Sequence, residues 1–364
     1  MNYQVCNRCV MDNKSDKTIR FDEKGVCNYC TEAFDQINTT TYFPNEQGRQ
    51  KLEELIEKIK FDNRDKEYDC LMGISGGLDS SYLAYLGYKW GLRMLAVHID
   101  DGFDTDISQK NVRRLCEAAN IDLRIIKPDK EQYYSLIKAY MRAGVPDLAV
   151  PQDNILLAFL HDVAKDSGVK YFLSGGNFAL ECILQKGNTY NAMDVVNIKD
   201  INKKYGINKI DKLKFISSYK KYLLQKKGVI VNVRPLNYID YNMKKAYEEL
   251  KDFCGFEYYG GKHLENIFTA FVQLYWLPKK FNVDKRTSHL SSMIVSGQLS
   301  RDDALKELEN PIYDESLMNS YIEYIKKELR ITDDEFDDIM ASPTHQHCDY
   351  KTDKMSNVLR KIIK

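Results

Sequence analysis

The segment Ser75-Gly76-Gly77-Leu78-Asp79-Ser80-Ser81 sets hydroxyls, two glycines and a carboxylate between an apolar run and a helical one. Gly76 and Gly77 let the backbone turn tightly and expose N–H groups. Ser75, Ser80 and Ser81 add hydroxyl donors, and the start of the following helix supplies a positive dipole end. Together these suit a pyrophosphate. Asp79 repels an anion, so its natural job is to hold the Mg²⁺ that neutralises the phosphates. A Walker loop would end in Gly-Lys-Ser/Thr, and a dinucleotide fold would bring a third glycine three residues after the second; neither pattern fits. A plain Ser/Gly helix cap would explain the serines but not two glycines followed by an aspartate.

Cys6, Cys9, Cys27 and Cys30 form two Cys-x-x-Cys pairs at the separation of a four-thiolate zinc site. Four thiolates complete the tetrahedron, so the expected metal is structural, and so short a module has too few apolar residues to fold without it. An iron–sulfur cluster or a redox pair would use the same residues. Cys70, Cys116 and Cys182 lie inside apolar patterns and read as packing residues. His345-Gln346-His347-Cys348 also holds metal-ligating types, but it stands alone after an acidic helix and reads as a solvated tail.

The elements that must position these groups follow from periodicity. Between Tyr68 and Arg234, short apolar runs alternate with amphipathic helical patterns, as they do where a parallel sheet is covered by helices. The runs Cys70 to Ile74, Met94 to His98, Leu123 to Ile126, Tyr171 to Leu173 and Val229 to Val233 predict five strands, with a helix after each of the first three. Beyond Pro235 the pattern is helical, over Ala246 to Phe253, Leu264 to Leu274, Arg301 to Leu308 and Leu317 to Leu329. The expected class is α/β: a parallel five-stranded sheet with helices on both faces, an N-terminal zinc-ribbon-like module and a C-terminal helical region. The expected domains are residues 1–45, 46–236 and 237–364.

Lys plus Arg (53) balances Asp plus Glu (53), so the chain as a whole has no electrostatic preference for nucleic acid. No apolar run is long enough to cross a bilayer, and Met1-Asn2-Tyr3-Gln4 does not begin a secretion leader. The expectation is a cytoplasmic protein with no membrane partner, whose nine cysteines are free thiols or metal ligands.

Ser75 to Ser80 meets in full the Ser-Gly-Gly-x-Asp-Ser signature of the PP-loop ATP pyrophosphatases, which this chain resembles. The resemblance implies an adenine nucleotide alpha hydrolase-like sheet and cleavage of ATP between its α and β phosphates, with AMP passing to a carbonyl or carboxyl oxygen. It extends to Val97-His98-Ile99-Asp100-Asp101-Gly102, where His98, Asp100 and Asp101 would line the nucleotide. Ser174-Gly175-Gly176-Asn177 would face the same crevice through Gly175 and Asn177.

The stretch from Tyr258-Tyr259-Gly260-Gly261-Lys262-His263-Leu264-Glu265 through Asp284-Lys285-Arg286 to His289-Leu290-Ser291-Ser292 resembles the N-acetyl sugar amidotransferases. These serve bacterial O-antigen and nonulosonic-acid (pseudaminic and legionaminic) pathways. The cysteine pairs, Val145-Pro146-Asp147, Pro151-Gln152-Asp153 and Arg234-Pro235-Leu236 share in the resemblance. It implies that a sugar acetamido group becomes an acetamidino group. Lys262, Lys285 and Arg286 would meet the acidic or phosphorylated groups of a free or nucleotide-linked sugar, and His263 and His289 would bind substrate or move a proton. Cys6 is not N-terminal and no cysteine lies in a Gly-x-Cys-x-Gly elbow, so the chain should not hydrolyse glutamine itself. The implied ammonia source is a separate glutaminase, similar to that of imidazole glycerol phosphate synthase, with a cyclase-like companion. A tRNA-thiolating or lysidine-type enzyme would share the phosphate loop but would need an extended basic surface, which the neutral balance argues against.

Overall fold

The structure is a computed structural model that describes residues 2–354. β1 (Cys70–Gly73), β2 (Met94–Ile99), β3 (Asp122–Ile126), β4 (Tyr171–Leu173) and β5 (Val231–Val233) form one sheet in the order β3-β2-β1-β4-β5. Every pairing is parallel. The chain runs outward from β1 to β3 and then returns to the other side of β1. The strand order therefore reverses between β1 and β4, which opens a crevice at their carboxyl ends. The fifth strand is shorter than expected, because Val229 N–H closes the preceding helical turn on Leu224 and only at Val231 does the ladder begin, from Val231 N–H to Lys170 O.

Ahead of the sheet come α1 (Asn28–Phe34) and α2 (Glu46–Asp62). α3 (Leu78–Lys89) and α4 (Asp106–Ala118) follow β1 and β2, and both α5 (Lys130–Ala143) and α6 (Val150–Ser167) follow β3. After β4 come α7 (Phe178–Glu181), α8 (Val195–Tyr205) and α9 (Ser218–Lys226). Strand residues alternate between two apolar layers, as the period of two requires. Met72, Met94 and Ala96 pack with Leu52, Leu83 and Leu115 on one face, while Leu71, Leu95 and Val97 meet Leu160 and Val163 of α6 on the other. Helices thus cover both faces.

The C-terminal region is helical: α10 (Met243–Cys254), α11 (Ile267–Phe271), α12 (Arg286–Val295), α13 (Arg301–Glu309), α14 (Glu315–Leu329) and α15 (Asp333–Ala341). The single helix expected over Leu264 to Leu274 is instead the short α11 running into a π-helical stretch, Val272–Phe281, that contains Pro278. Proline has no N–H and its ring clashes with the carbonyl four residues back, so the ladder widens instead of continuing. Trp276 and Phe271 bury there against Tyr140 of α5 and Ile325 of α14. Among the described residues no helix is long and apolar enough to cross a membrane.

His347 corrects the reading of residues 345–348 as a solvated tail. It is 3% exposed, its ring stacks on Tyr190 at 4.2 Å, and its Nδ1 lies 2.9 Å from Asn197 Oδ1. An amphipathic imidazole with a flat partner and a polar anchor in reach docks the segment, while His345 is half-buried and Cys348 exposed.

Candidate active site

The loop after β1 is shaped by close approaches that only glycine permits. Gly76 has φ +79°, and a Cβ there would lie 2.3 Å from Ser108 O; a Cβ on Gly77 would lie 2.4 Å from Glu265 Oε1. Ser75 Oγ accepts from Gly77 N–H at 3.2 Å and donates to Glu265 Oε1 at 3.0 Å. The N-cap residue of α3, Gly77, has no side chain to cap it, and its first N–H, that of Leu78, donates to Tyr259 OH at 2.7 Å. From β4, Gly175 comes so near that a Cβ would be 3.1 Å from the Ser80 backbone, bringing the two strand-end turns together.

A cavity of about 770 Å³ opens there, lined by Ser75, Gly77, Asp79, Ser80, His98, Asp101, Gly175, Lys262 and His263 among the expected residues. Gly76, Ser81, Asp100 and Asn177 do not line it. Gly76 turns the chain against Ser108, and Ser81 is fully buried one helical turn inside. Asp100 faces Lys127, with Oδ2 2.8 Å from Nζ. Asn177 is a helix cap, its Oδ1 accepting from Leu180 N–H at 2.9 Å. His98 has an acceptor at each ring nitrogen, Ile74 O at 2.8 Å and Asp104 Oδ2 at 2.9 Å. Burial works against its charge, but Asp104 prevails and holds the imidazole above its usual pKa. Burial lifts Asp101 to about 6, opposed by hydrogen bonds from Phe103 N–H, Tyr133 and Asn266; Gln152 Nε2 also donates to it, at 2.6 Å.

Lys262 ties this loop to the C-terminal region. Its Nζ lies 2.7 Å from Asp79 Oδ2 and 3.0 Å from Glu181 Oε1, and His263 Nε2 stands 3.6 Å from the same Glu181 oxygen. Tyr241 OH donates to the other oxygen of Asp79. Although desolvation disfavours every charge here, the paired carboxylates hold Lys262 above its usual range, while Lys262 and His263 hold Glu181 well below its own. His263 itself takes the left-handed conformation, φ 62°, at the end of the Gly260-Gly261 turn.

A second cavity, about 1750 Å³, shares the wall formed by Leu180, Met243, Tyr258, Tyr259, Gly261, Lys262 and Gln273. Lys285, Arg286 and His289 line it, away from the phosphate loop. Burial pushes Lys285 below the usual lysine range against the pull of Asp147, and drives His289 well down, so its imidazole is neutral. Arg286 is engaged in the fold: it pairs with Asp284 at 2.8 Å and donates to the carbonyls of Glu307 and Asn310, at 3.2 and 3.0 Å, at the C-terminal end of α13.

Three side chains the sequence reading did not single out belong to this centre: Glu181, Tyr241 and Glu265. Glu265 Oε2 is buried with no hydrogen-bond partner, which makes it a carboxylate oxygen able to serve a cation. Its one sequence signal is its place three residues after Lys262; Glu181 and Tyr241 carry none.

The four sulfurs of Cys6, Cys9, Cys27 and Cys30 lie within 4.8 Å of one another and are fully buried. Cys9–Cys27 and Cys6–Cys30 are 3.7 and 4.0 Å apart, against about 3.8 Å for the edge of a tetrahedral zinc thiolate. Backbone N–H groups of Arg8, Cys9 and Cys27 point at Cys6 Sγ, a donor set suited to thiolate charge. The residues therefore fit one tetrahedral ion. Arg301 of α13 donates to the carbonyls of Cys6 and Cys9, and Val10 N–H to Ser291 Oγ of α12, which fastens the module to the second cavity's wall.

Comparison with known proteins gives three kinds of result. No curated protein matches the chain. Among solved structures it is similar to an NH3-dependent NAD synthetase from Campylobacter jejuni, at 16% identity over 77% of this chain and 94% of that one, TM-score 0.32. It is also similar to the U34-tRNA thiolase NcsA from Methanococcus maripaludis, at 14% identity over 90% and 89%, TM-score 0.35. NMN synthetase from Francisella tularensis gives 14% over 79% and 95%, TM-score 0.32. At those scores they add nothing to the parallel sheet already described. Residues 265–363, which hold Glu265, Lys285, Arg286 and His289, match the family model of the LPS biosynthesis protein WbpG-like C-terminal domain. The C-terminal stretch of this chain is thus similar to the C-terminal domain of WbpG-like LPS biosynthesis proteins, a match that supports the sugar amidotransferase family its motifs resemble.

Proposed function

We propose that the chain is an ATP-dependent, AMP-forming amidotransferase that converts the acetamido group of an acidic N-acetylated sugar into an acetamidino group during surface polysaccharide or nonulosonic-acid synthesis. The observation that carries this reading is Lys262, which lines both cavities and is paired with Asp79 of the phosphate loop. An amide carbonyl is a poor electrophile and oxide a very poor leaving group. Transfer of AMP to the oxygen makes an imidate from which a phosphate monoester can leave, and ammonia then replaces it. Such a step depends mainly on alignment and on positive charge at the α-phosphate. Lys262 is a cation at that boundary, held by carboxylates that a nucleotide would compete with. Mg²⁺, when bound, would neutralise phosphate charge, and Asp79 and Glu265 are the carboxylates at hand. Lys285 and His289 in the second cavity suit an acidic sugar or nucleotide sugar.

Zinc in the four-cysteine module would be structural. Ammonia would come from a separate glutaminase with a cyclase-like companion, and the protein would work in the cytoplasm. Among the described residues, Cys70, Cys116, Cys182, Cys254 and Cys348 line neither cavity, and burial lifts the Cys182 thiol to about 12, which favours nitrogen over sulfur transfer. The three-part division at residues 1–45, 46–236 and 237–364 belongs to the same reading.

The test is incubation of the protein with Mg-ATP, ammonium and a panel of N-acetylated acidic sugars, free and nucleotide-linked, read by mass spectrometry. A product lighter by about one mass unit, with AMP in equal amount, is expected. AMP that appears only on adding tRNA would overturn the reading.

A further inference from the structure

The first turn of α6 aims three consecutive polar side chains in different directions. Gln152 turns to Asp101, and Asn154 is buried, its Nδ2 donating to Ala192 O at 2.6 Å and Ile216 O at 2.9 Å. Asp153, between them, lines the nucleotide cavity, and its carboxylate makes no hydrogen bond or ion pair with any described residue. Every other acid on that wall is engaged: Asp79 and Glu181 by Lys262, Asp101 by Gln152, Asp104 by His98 and Glu265 by Ser75. An acid left unpaired where solvent must give way to two substrates has a use other than holding the fold.

We propose that Asp153 is the general base of the amidotransfer, accepting the proton of an ammonium ion so that ammonia can attack the adenylylated carbonyl carbon. This inference rests on the function proposed above. An ammonium ion has no lone pair, so it must lose a proton before the carbon–nitrogen bond forms. The lone pair released then bonds to the carbon, and the carbon–oxygen bond breaks with its electron pair leaving on AMP. A second proton passes from the attached nitrogen to solvent water as the amidinium forms.

The charges around Asp153 suit the task. Asp153 is open to the cavity yet ringed by protein, and that desolvation together with Asp147 raises its carboxyl to about 7, with His263 pulling the other way. Asp147 stands on the loop ahead of α6, where it accepts from Tyr190 N–H at 2.8 Å and Ala149 N–H at 3.3 Å. Tyr133, Tyr190, Glu181 and Lys221 are further titratable groups lining the cavity. A carboxylate poised near neutrality accepts a proton better than one at the ordinary value and still returns it to solvent.

The test compares the wild-type chain with Asp153→Asn in two assays, sugar-dependent ATP–pyrophosphate exchange for the first half-reaction and ammonium-dependent amidine formation for the second. The variant should keep the exchange and lose about 100-fold in kcat/KM for ammonium near neutral pH. That loss should shrink towards about pH 9, where solution itself supplies more free ammonia. Unchanged use of ammonium, a defect equal at every pH, or a parallel loss of exchange would each overturn the role of Asp153. A wild-type chain without sugar-dependent exchange would instead overturn the amidotransferase reading, and this inference with it.

Discussion

Lys262 Nζ lies 2.7 Å from Asp79 Oδ2, joining residues 183 apart in the chain at the mouth of the phosphate loop. Both side chains are mostly buried, at 11% and 17% exposed, and Glu181 completes the cluster. A lone ammonium between two carboxylates is held, yet it has more donors than partners, so it can turn towards a phosphate without leaving its site.

Lys262→Met would remove the cation shared by Asp79 and Glu181, which costs about 3 kcal/mol in such a setting. A lower melting temperature is expected, and substrate-dependent pyrophosphate release should fall about 100-fold. Asp79→Ala should abolish pyrophosphate release while the metal content of the cysteine module stays the same. Undiminished release by either variant would count against the assignment.

The cysteine module touches α12 and α13 through Ser291 and Arg301 rather than the nucleotide loop. Metal analysis of the purified chain should find about one zinc per molecule and no visible iron–sulfur absorption. Stripping the metal, or Cys27→Ser, should lower the melting temperature and raise the KM for the sugar more than that for ATP. Equal effects on both substrates would mean that the module stabilises the whole chain without favouring the second cavity.

Lys285 and Arg286 are neighbours with different expected effects. Lys285→Met should raise the KM for an acidic acceptor about 10- to 100-fold, the range for a lost charge-assisted hydrogen bond. Arg286→Met should mainly lower the melting temperature, because its guanidinium holds Asp284 and the carbonyls at the C-terminal end of α13. Matching KM defects in the two variants would contradict that division.

Burial depresses the imidazole of His347 to about 3, so on acidification the unfolded chain takes up the proton first, near the usual value of about 6.5. Stability should therefore decline as pH falls below about 6.5 and go on declining towards about 3. In His347→Phe, which keeps the stack on Tyr190, that part of the acid sensitivity should vanish. Melting curves between these limits measure the difference, and identical pH profiles would show that folding does not depress the His347 imidazole.

Much of this protein is determined by local patterns. The strand runs, the helices after them and the two Cys-x-x-Cys turns follow from periodicity and from residue types whose conformations are set within a few positions. The phosphate loop is equally local, because Gly76 and Gly77 are needed where the chain approaches Ser108 and Glu265. The family resemblance of the C-terminal stretch likewise lay in contiguous residues, and the match over residues 265–363 overlaps that stretch from Glu265 onward.

What the sequence left open is which groups meet across long separations. Asp100 and Asp101 are adjacent in a strand-end motif, yet one turns to Lys127 and the other to the cavity, because consecutive side chains of an extended chain point opposite ways. Arg286 carries the charge expected of a substrate ligand, but the carbonyls at the C-terminal end of α13 claim it. Glu181 and Tyr241 bear no local mark and enter the centre only because the return of the chain through β4 and β5 brings their segments beside α3. Local preference needs only neighbours in sequence. A buried charge cluster needs partners that just the packed chain brings within hydrogen-bond distance, and so the tertiary structure alone decided the pairing of Lys262 with Asp79 and, among the described residues, the lack of a partner for Asp153.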